Sequence, residues 1–419
     1  MRTEAILQGS SPMVSGTLAK GLLYTVRVLA MGGVLAAAGV LVGTWFEHRI
    51  PMELPRPTGS FAVGRTAFHW VEEGRADEFA PLPGSKRELV VWVWYPCATA
   101  QGTRAEYLPP RWRDALARSG GVLVTDFLTR DLSQVRVHST ENADLPPGQG
   151  KYPVVILRAG LAALVTGYAA LAEDLASHGY IVVGPDAPYR TTVVVFPDGR
   201  VVSRPSKYNL ELLPESEKVP FATRLMRMWS ADIGFVVDEL ANLDAADPSG
   251  RFTGRLDLQH LGIFGHSLGG ATAAHFCYED SRCKAGIDLD GQLFGPVIEE
   301  GLRQPFMFVL EGHGRVSDPA VDEIFAHIQS MYERLPVDSR RRITLVGSNH
   351  FSFSDQILLK SPMLLGMMQR MGVIGGLEGR RGLEITADCI STFFDVYLKG
   401  RPRTVLDALA HRYPEVLLD

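Results

Sequence analysis

LGIFGHSLGGATAAHF, residues 261–276, sets a serine between glycines at the end of an apolar run. An apolar run closes on Gly265, His266-Ser267-Leu268 forms a corner, and Gly269 and Gly270 open an alanine-rich segment. A Gly-x-Ser-x-Gly pattern between a predicted strand (260–264) and a predicted helix (270–278) is the setting of a nucleophile held on a tight, strained turn. A side chain at either flanking glycine would collide with neighbouring backbone, so the spacing has a steric cause. The helix start behind the turn favours negative charge beside the serine. The rival reading is a glycine-rich turn with no chemistry.

Working outward, short apolar runs without alternation predict strands at 89–95, 152–157, 180–186, 285–290, 306–311 and 342–347. Stretches with helical spacing lie between them, at 168–179, 229–245, 319–334 and 384–398. Such interleaving predicts an α/β fold with a mostly parallel central sheet covered by helices on both faces. With the serine corner it predicts the α/β-hydrolase fold. Residues 59–402 read as that domain, 47–58 as a linker and 403–419 as a C-terminal tail. The proline-bearing stretch 187–220 reads as an insertion or a cap over the cleft.

Residues 28–46, VLAMGGVLAAAGVLVGTWF, carry no charge. As a helix they span roughly 28 Å at about 1.5 Å per residue, close to the hydrocarbon core of a bilayer. Arg2, Lys20 and Arg27 precede the run, opposed only by Glu4. The expectation is a cytoplasmic segment 1–27, a transmembrane anchor at 28–46 and a catalytic domain outside the cytoplasm. A cleaved signal, giving a secreted or periplasmic protein, is the alternative, although Gly43-Thr44-Trp45-Phe46 is a poor cleavage site. Gly32 with Ala36, and Gly33 with Ala37, are small residues four apart that would let two such helices meet in a homodimer.

The net charge of −5, with no basic block, argues against nucleic acid as a partner. No Gly-rich phosphate loop is present. The four cysteines have no metal-ligand spacing, and no metal or organic cofactor is implied. Cys277 and Cys283 are close enough for a small disulfide loop in an exported chain, and the sequence leaves that pairing open.

A serine hydroxyl needs a base, usually a histidine oriented by a carboxylate. In this fold the order is serine, acid, histidine. His275, His313, His327, His350 and His411 follow Ser267. His350, in VGSNHFSFSD after the strand at 342–347, stands where the base belongs, with His313 in EGHG as fallback. For the acid, Asp290 ends the strand in GIDLDGQLFG, Asp288 shares its face lower down, and Glu311 ends the next strand. Periodicity leaves Asp290 and Glu311 nearly tied.

The set GHSLGG, GIDLDGQLFG and GSNHFSFSD resembles the secreted, plasma-type (isoform II-like) platelet-activating factor acetylhydrolase family. GSFAVGRTAFHW with VWVWYP looks like that family's first hairpin. The resemblance covers roughly residues 59–400, densely only near the three catalytic segments. It implies Ser267 as nucleophile, Asp290 as orienting acid and His350 as base. One departure stands out. The family's S-H-G-L-G is replaced by Arg158-Ala159-Gly160-Leu161-Ala162. The oxyanion hole needs only backbone N–H groups, so Leu161 with Leu268 would still form it. Acetyl specificity does not carry over with the departure. The expected function is a serine carboxylic ester hydrolase working through an acyl-serine on a short-chain or phospholipid ester. The alternatives are a cutinase- or polyester-type esterase and a catalytically silent α/β-hydrolase that binds. Met363, Met367, Met368 and Met371 read first as core packing, with an acyl pocket or bilayer-facing surface as rival.

Overall fold

The computed structural model describes residues 13–122, 129–148, 150–312 and 319–419. Its strands are β1 (Met52–Glu53), β2 (Ala62–Ala76), β3 (Lys86–Cys97), β4 (Arg104–Glu106), β5 (Val135–Glu141), β6 (Tyr152–Arg158) and β7 (Ile181–Asp186). There follow β8 (Val193–Val195), β9 (Val201–Ser203), β10 (Leu256–His266), β11 (Cys283–Leu289), β12 (Phe306–Gly312), β13 (Arg340–Val346) and β14 (Val416–Leu418). The helices used below are α1 (Met13–His48), α2 (Pro110–Val122), α3 (Ala169–Ser177), α4 (Glu215–Ala245) and α5 (Leu268–Glu279).

One sheet runs β1-β5-β2-β3-β7-β6-β10-β11-β12-β13-β14, with β4 beside β5, and β8 and β9 form a separate hairpin. From β7 to β13 neighbours are parallel, and β3 and β14 flank that block antiparallel. β6 and β7 and the second half of β10 are almost wholly buried because both faces of the sheet are covered there. Val155 and Leu157 pack on one side with Leu171 and Leu175 of α3. Val154 and Ile156 pack on the other with Ile233, Val236, Val237 and Leu240 of α4. This is the α/β-hydrolase architecture, and it sets the ends of β10, β11 and β13 along one edge.

Several segments differ from the sequence expectation. The residues read as linker and tail are built into the domain. Met52 and Glu53 pair with Val135 and Arg136, and Leu54 is fully buried. β14 closes the far edge of the sheet, and Leu406 and Leu409 beneath it are buried. Pieces this short carry too little periodicity to stand out. Helix α4 begins 14 residues before the expected Trp229 and runs through Pro220. The hydrogen bond lost at a helical proline costs about 3 kcal/mol. It is outweighed here by burial of Ala222, Leu225, Met226 and Met228. The methionines are not core: the helix Pro362–Arg370 has no buried residue, and Met367, Met368 and Met371 are exposed.

The apolar expectation at 28–46 falls inside α1, of which Leu22–His48 is long and apolar enough to cross a membrane. Gly32 and Gly33 have open space beside them. At its end Thr44 is buried and Glu47 accepts hydrogen bonds from Ser361 and from the Met363 amide, so the helix is tied to the domain. Cys277 and Cys283 are disulfide-bonded, closing the turn between α5 and β11.

Candidate active site

Ser267 sits between β10 and α5 with φ 57° and ψ −129°, a left-handed conformation costing about 1–3 kcal/mol in a non-glycine residue. Its amide donates to the Leu289 carbonyl at 2.9 Å, pinning the corner to the neighbouring strand. The steric reading of the flanking glycines holds. A Cβ on Gly265 would lie 2.1 Å from the Gly269 carbonyl oxygen, and one on Gly269 would lie 2.2 Å from that of Arg158. Ser267 is half-buried.

Asp290 follows the last residue of β11 with φ 54°, and His350 follows β13. The two meet: His350 Nδ1–H donates to Asp290 Oδ2 at 2.6 Å. The other oxygen, Oδ1, accepts the Glu311 amide at 3.0 Å, so the carboxylate is held from both sides. Glu311 thus touches the acid through its backbone, and the imidazole partner is Asp290. Asp288 is fully buried and accepts the Gly291 amide at 2.8 Å, shaping the bend that turns Asp290 upward. Burial, and then the charge of Asp290, hold Asp288 protonated well above the usual carboxylate range. Of the other histidines, His275 and His327 lie on helices, where each faces a glutamate one turn away, and His411 is on a third. His313 lies outside the described residues.

The loop after β6 brings Leu161 to the same place. Gly160 packs against the elbow so closely that a Cβ there would lie 3.2 Å from the His266 carbonyl oxygen. The Ala163 amide closes a turn onto the Gly160 carbonyl at 3.1 Å, with Ala162 at φ 64°. That left-handed position favours glycine. Alanine is held there by Thr192, whose amide and hydroxyl both donate to the Ala162 carbonyl. Leu268 is the first residue of α5, so its amide lies outside the helix ladder. Leu161 and Leu268 both join an apolar cluster with Met226 and Trp229 of α4, Tyr189 of the 187–220 region and Phe294 after β11. Arg158, at the departure from the resembling family, is buried over the Trp229 ring and donates to the Pro185 carbonyl.

Sequence reasoning missed a buried link between these parts. The Gly160 amide donates to Tyr168 Oη at 3.1 Å, and Tyr168 Oη lies 2.8 Å from His266 Nδ1. His266 Nε2 lies 2.8 Å from the His350 carbonyl oxygen. A carbonyl only accepts, so Nε2 carries the hydrogen and the tyrosine hydroxyl donates to Nδ1. Burial, and then the charge on His350, lower His266 to about 3, so it stays neutral near pH 7. Its ring centroid is 4.5 Å from that of His350. Asp355, the last residue of GSNHFSFSD, accepts the amides of Ala169 and Ala170 at the start of α3. The aspartate in that motif was the available signal. For Tyr168 there was none.

Tyr168→Phe strips one partner each from a buried amide and a buried imidazole. A 5- to 10-fold fall in kcat with KM little changed is expected, alongside a loss of about 1–3 kcal/mol in stability. Steady-state kinetics on a p-nitrophenyl ester check this, and an unchanged kcat contradicts a positioning role.

The model of the family described as platelet-activating factor acetylhydrolase, isoform II, matches residues 47–194 and 225–400. A probable 1-alkyl-2-acetylglycerophosphocholine esterase of Arthroderma benhamiae is 24% identical over 422 residues, covering 93% of this chain and 99% of its own. The platelet-activating factor acetylhydrolase of Bos taurus is 26% identical over 327 residues, 72% of this chain and 68% of its own. A solved ferulic acid esterase from Streptomyces cinnamoneus aligns with a TM-score of 0.72 and 28% identity over 88% of this chain and 99% of its own. The chain belongs to the platelet-activating factor acetylhydrolase isoform II family and is a carboxylic ester hydrolase of the α/β-hydrolase fold.

Proposed function

We propose that Ser267, His350 and Asp290 form the catalytic triad of a serine esterase acting on phospholipid esters with a short acyl group. The observation that carries the reading is the 2.6 Å contact between His350 Nδ1 and Asp290 Oδ2 beside a strained serine at the same sheet edge. Ser267 Oγ attacks the ester carbonyl as His350 Nε2 takes its proton. Asp290 stabilises the imidazolium. The amides of Leu161 and Leu268 receive the negative charge on the carbonyl oxygen. His350 then gives its proton to the departing alcohol. A water, deprotonated by His350, releases the acid and restores Ser267.

His350 must be neutral to act as base. Burial disfavours its cation, but the hydrogen bond and charge of Asp290, with the charge of Glu311, outweigh that and raise its pKa above the ordinary 6.5. With His266 neutral throughout, kcat/KM is expected to rise with pH through a single ascent centred above 6.5. An ascent centred below 6.5 in a pH–rate profile contradicts this.

The chain is anchored by α1, with the hydrolase domain on the non-cytoplasmic side. Supporting this are the exposed, charge-free run 28–46 within the apolar span, Lys20 and Arg27 before that run, the disulfide, and the exposed methionines beside the helix end. A second reading, an aryl ester hydrolase, draws on the likeness to the ferulic acid esterase and on the rings of Phe79, Tyr208 and Phe221, which gather around Arg190 in the apolar cluster shared by Leu161 and Leu268. Comparing kcat/KM for a short-chain sn-2 phosphatidylcholine and for methyl ferulate decides between them. The phospholipid is expected to be favoured at least tenfold, and a preference for ferulate overturns the lipid reading.

A further inference from the structure

Behind the loop that carries Leu161 lies a cavity of about 340 Å³, a size at which small-molecule sites begin. Leu108, Leu116, Ala117, Leu132, Leu164 and Leu359 give it an apolar wall. Neither Ser267 nor His350 lines it. Ala162–Leu164 face it, while Gly160 faces the elbow, so the loop stands between the cavity and Ser267.

Its polar residues gather where α1 ends. Thr129, Arg130 and Asp131 line the cavity. His48 donates to the Thr129 carbonyl at 2.6 Å, and the Asp131 amide donates to the His48 carbonyl. Among the described residues Arg130 donates to the backbone carbonyls of Leu358, Glu47 and Ile50. Lys360 sits half-buried over the Phe351 ring with its ammonium 4.4 Å from the centroid. Burial lowers the pKa of both. Arg113 is paired with Glu106, and the Asp131 carboxylate caps the Ser133 amide. Beside Arg130 and Lys360 the carboxylates are both engaged, Asp131 on the Ser133 amide and Glu47, whose charge reaches Arg130, on Ser361 and the Met363 amide. A cationic end on an apolar cavity fits a molecule with a chain and an anionic head.

We propose that this cavity is a non-catalytic site for the hydrocarbon chain of an anionic amphiphile, an alkyl phosphate or a fatty carboxylate, with its head at Arg130 and Lys360. The inference rests on the anchor reading above, since α1 then brings the cationic end to headgroup depth, where lipid phosphates lie. The chain enters from the leaflet and packs against Leu116 and Leu164, apart from the ester being cleaved.

The test uses the full chain in phosphatidylcholine nanodiscs with hexadecyl phosphate bearing a diazirine near the chain end. Cross-linked residues are mapped by mass spectrometry. Labelling at Leu116, Ala117, Leu132 or Leu164 is expected. Lys360→Gln is expected to lower it at least fivefold, and Leu116→Trp to abolish it. Ala117→Phe replaces the latter should near-UV circular dichroism show misfolding. Excess hexadecyl phosphate displacing the probe where palmitate does not assigns the site to phosphates, and displacement by both assigns it to either head. Displacement by hexadecanol at equal potency overturns the anionic head. Labelling of α1 without the cavity, or cavity labelling that survives both variants, overturns the site. Absence of label on α1 counts separately, against the anchor.

Discussion

Ser267→Ala is expected to lower esterase turnover by roughly a millionfold, and His350→Ala by a similar factor, because the nucleophile and its base act as one unit. The double variant should be scarcely worse than either single one. Neither change threatens the fold. Ser267 is half-buried, its pinning bond to Leu289 uses its backbone amide, and alanine already takes a positive φ at Ala162. Circular dichroism and thermal melts should therefore stay near wild type while activity on a p-nitrophenyl ester disappears. Residual turnover above about one part in a thousand in Ser267→Ala would place the nucleophile elsewhere.

The second large effect separates two carboxylates. Asp290→Asn is expected to reduce kcat by about 10⁴, since an amide beside Nδ1 supports the wrong tautomer and leaves the imidazolium uncompensated. Asparagine tolerates positive φ well, so the bend at φ 54° survives and the loss is chemical. Glu311→Gln is expected to cost less than about tenfold. Its backbone amide still holds Asp290 Oδ1, and its side chain reaches His350 only as a lesser charge. Removing that charge should move the ascent of the pH profile downward. Equal losses in the two variants, or a larger one in Glu311→Gln, would transfer the orienting role to Glu311.

The parallel strands were legible because each is a short apolar run bounded by turns. The elbow was legible because its glycines have one steric job, seen in the 2.1 and 2.2 Å approaches at Gly265 and Gly269. The choice between Asp290 and Glu311 was not in the periodicity, since both stand at strand ends on the same edge. It came from the resemblance of the three motif segments, and the Nδ1–Oδ2 contact points the same way. What stayed hidden depends on distant partners. Tyr168 and His266 are 98 positions apart and meet only when β6 and β10 pair. β14 has meaning only as the edge partner of β13. Pro220 argued locally for a break, and the cap packing of α4 overruled it. Clustered methionines and leucines after Ser361 suggest core by composition, which says nothing about which face is covered, and the structure leaves Met367, Met368 and Met371 exposed.

The central claim is that one serine, activated by one histidine, is the nucleophile. The most direct measurement is peptide mapping after reaction with a fluorophosphonate. A single adduct on Ser267 is expected in the wild type, with loss of that adduct in both Ser267→Ala and His350→Ala. An adduct on another serine, or undiminished labelling of Ser267 without His350, contradicts it.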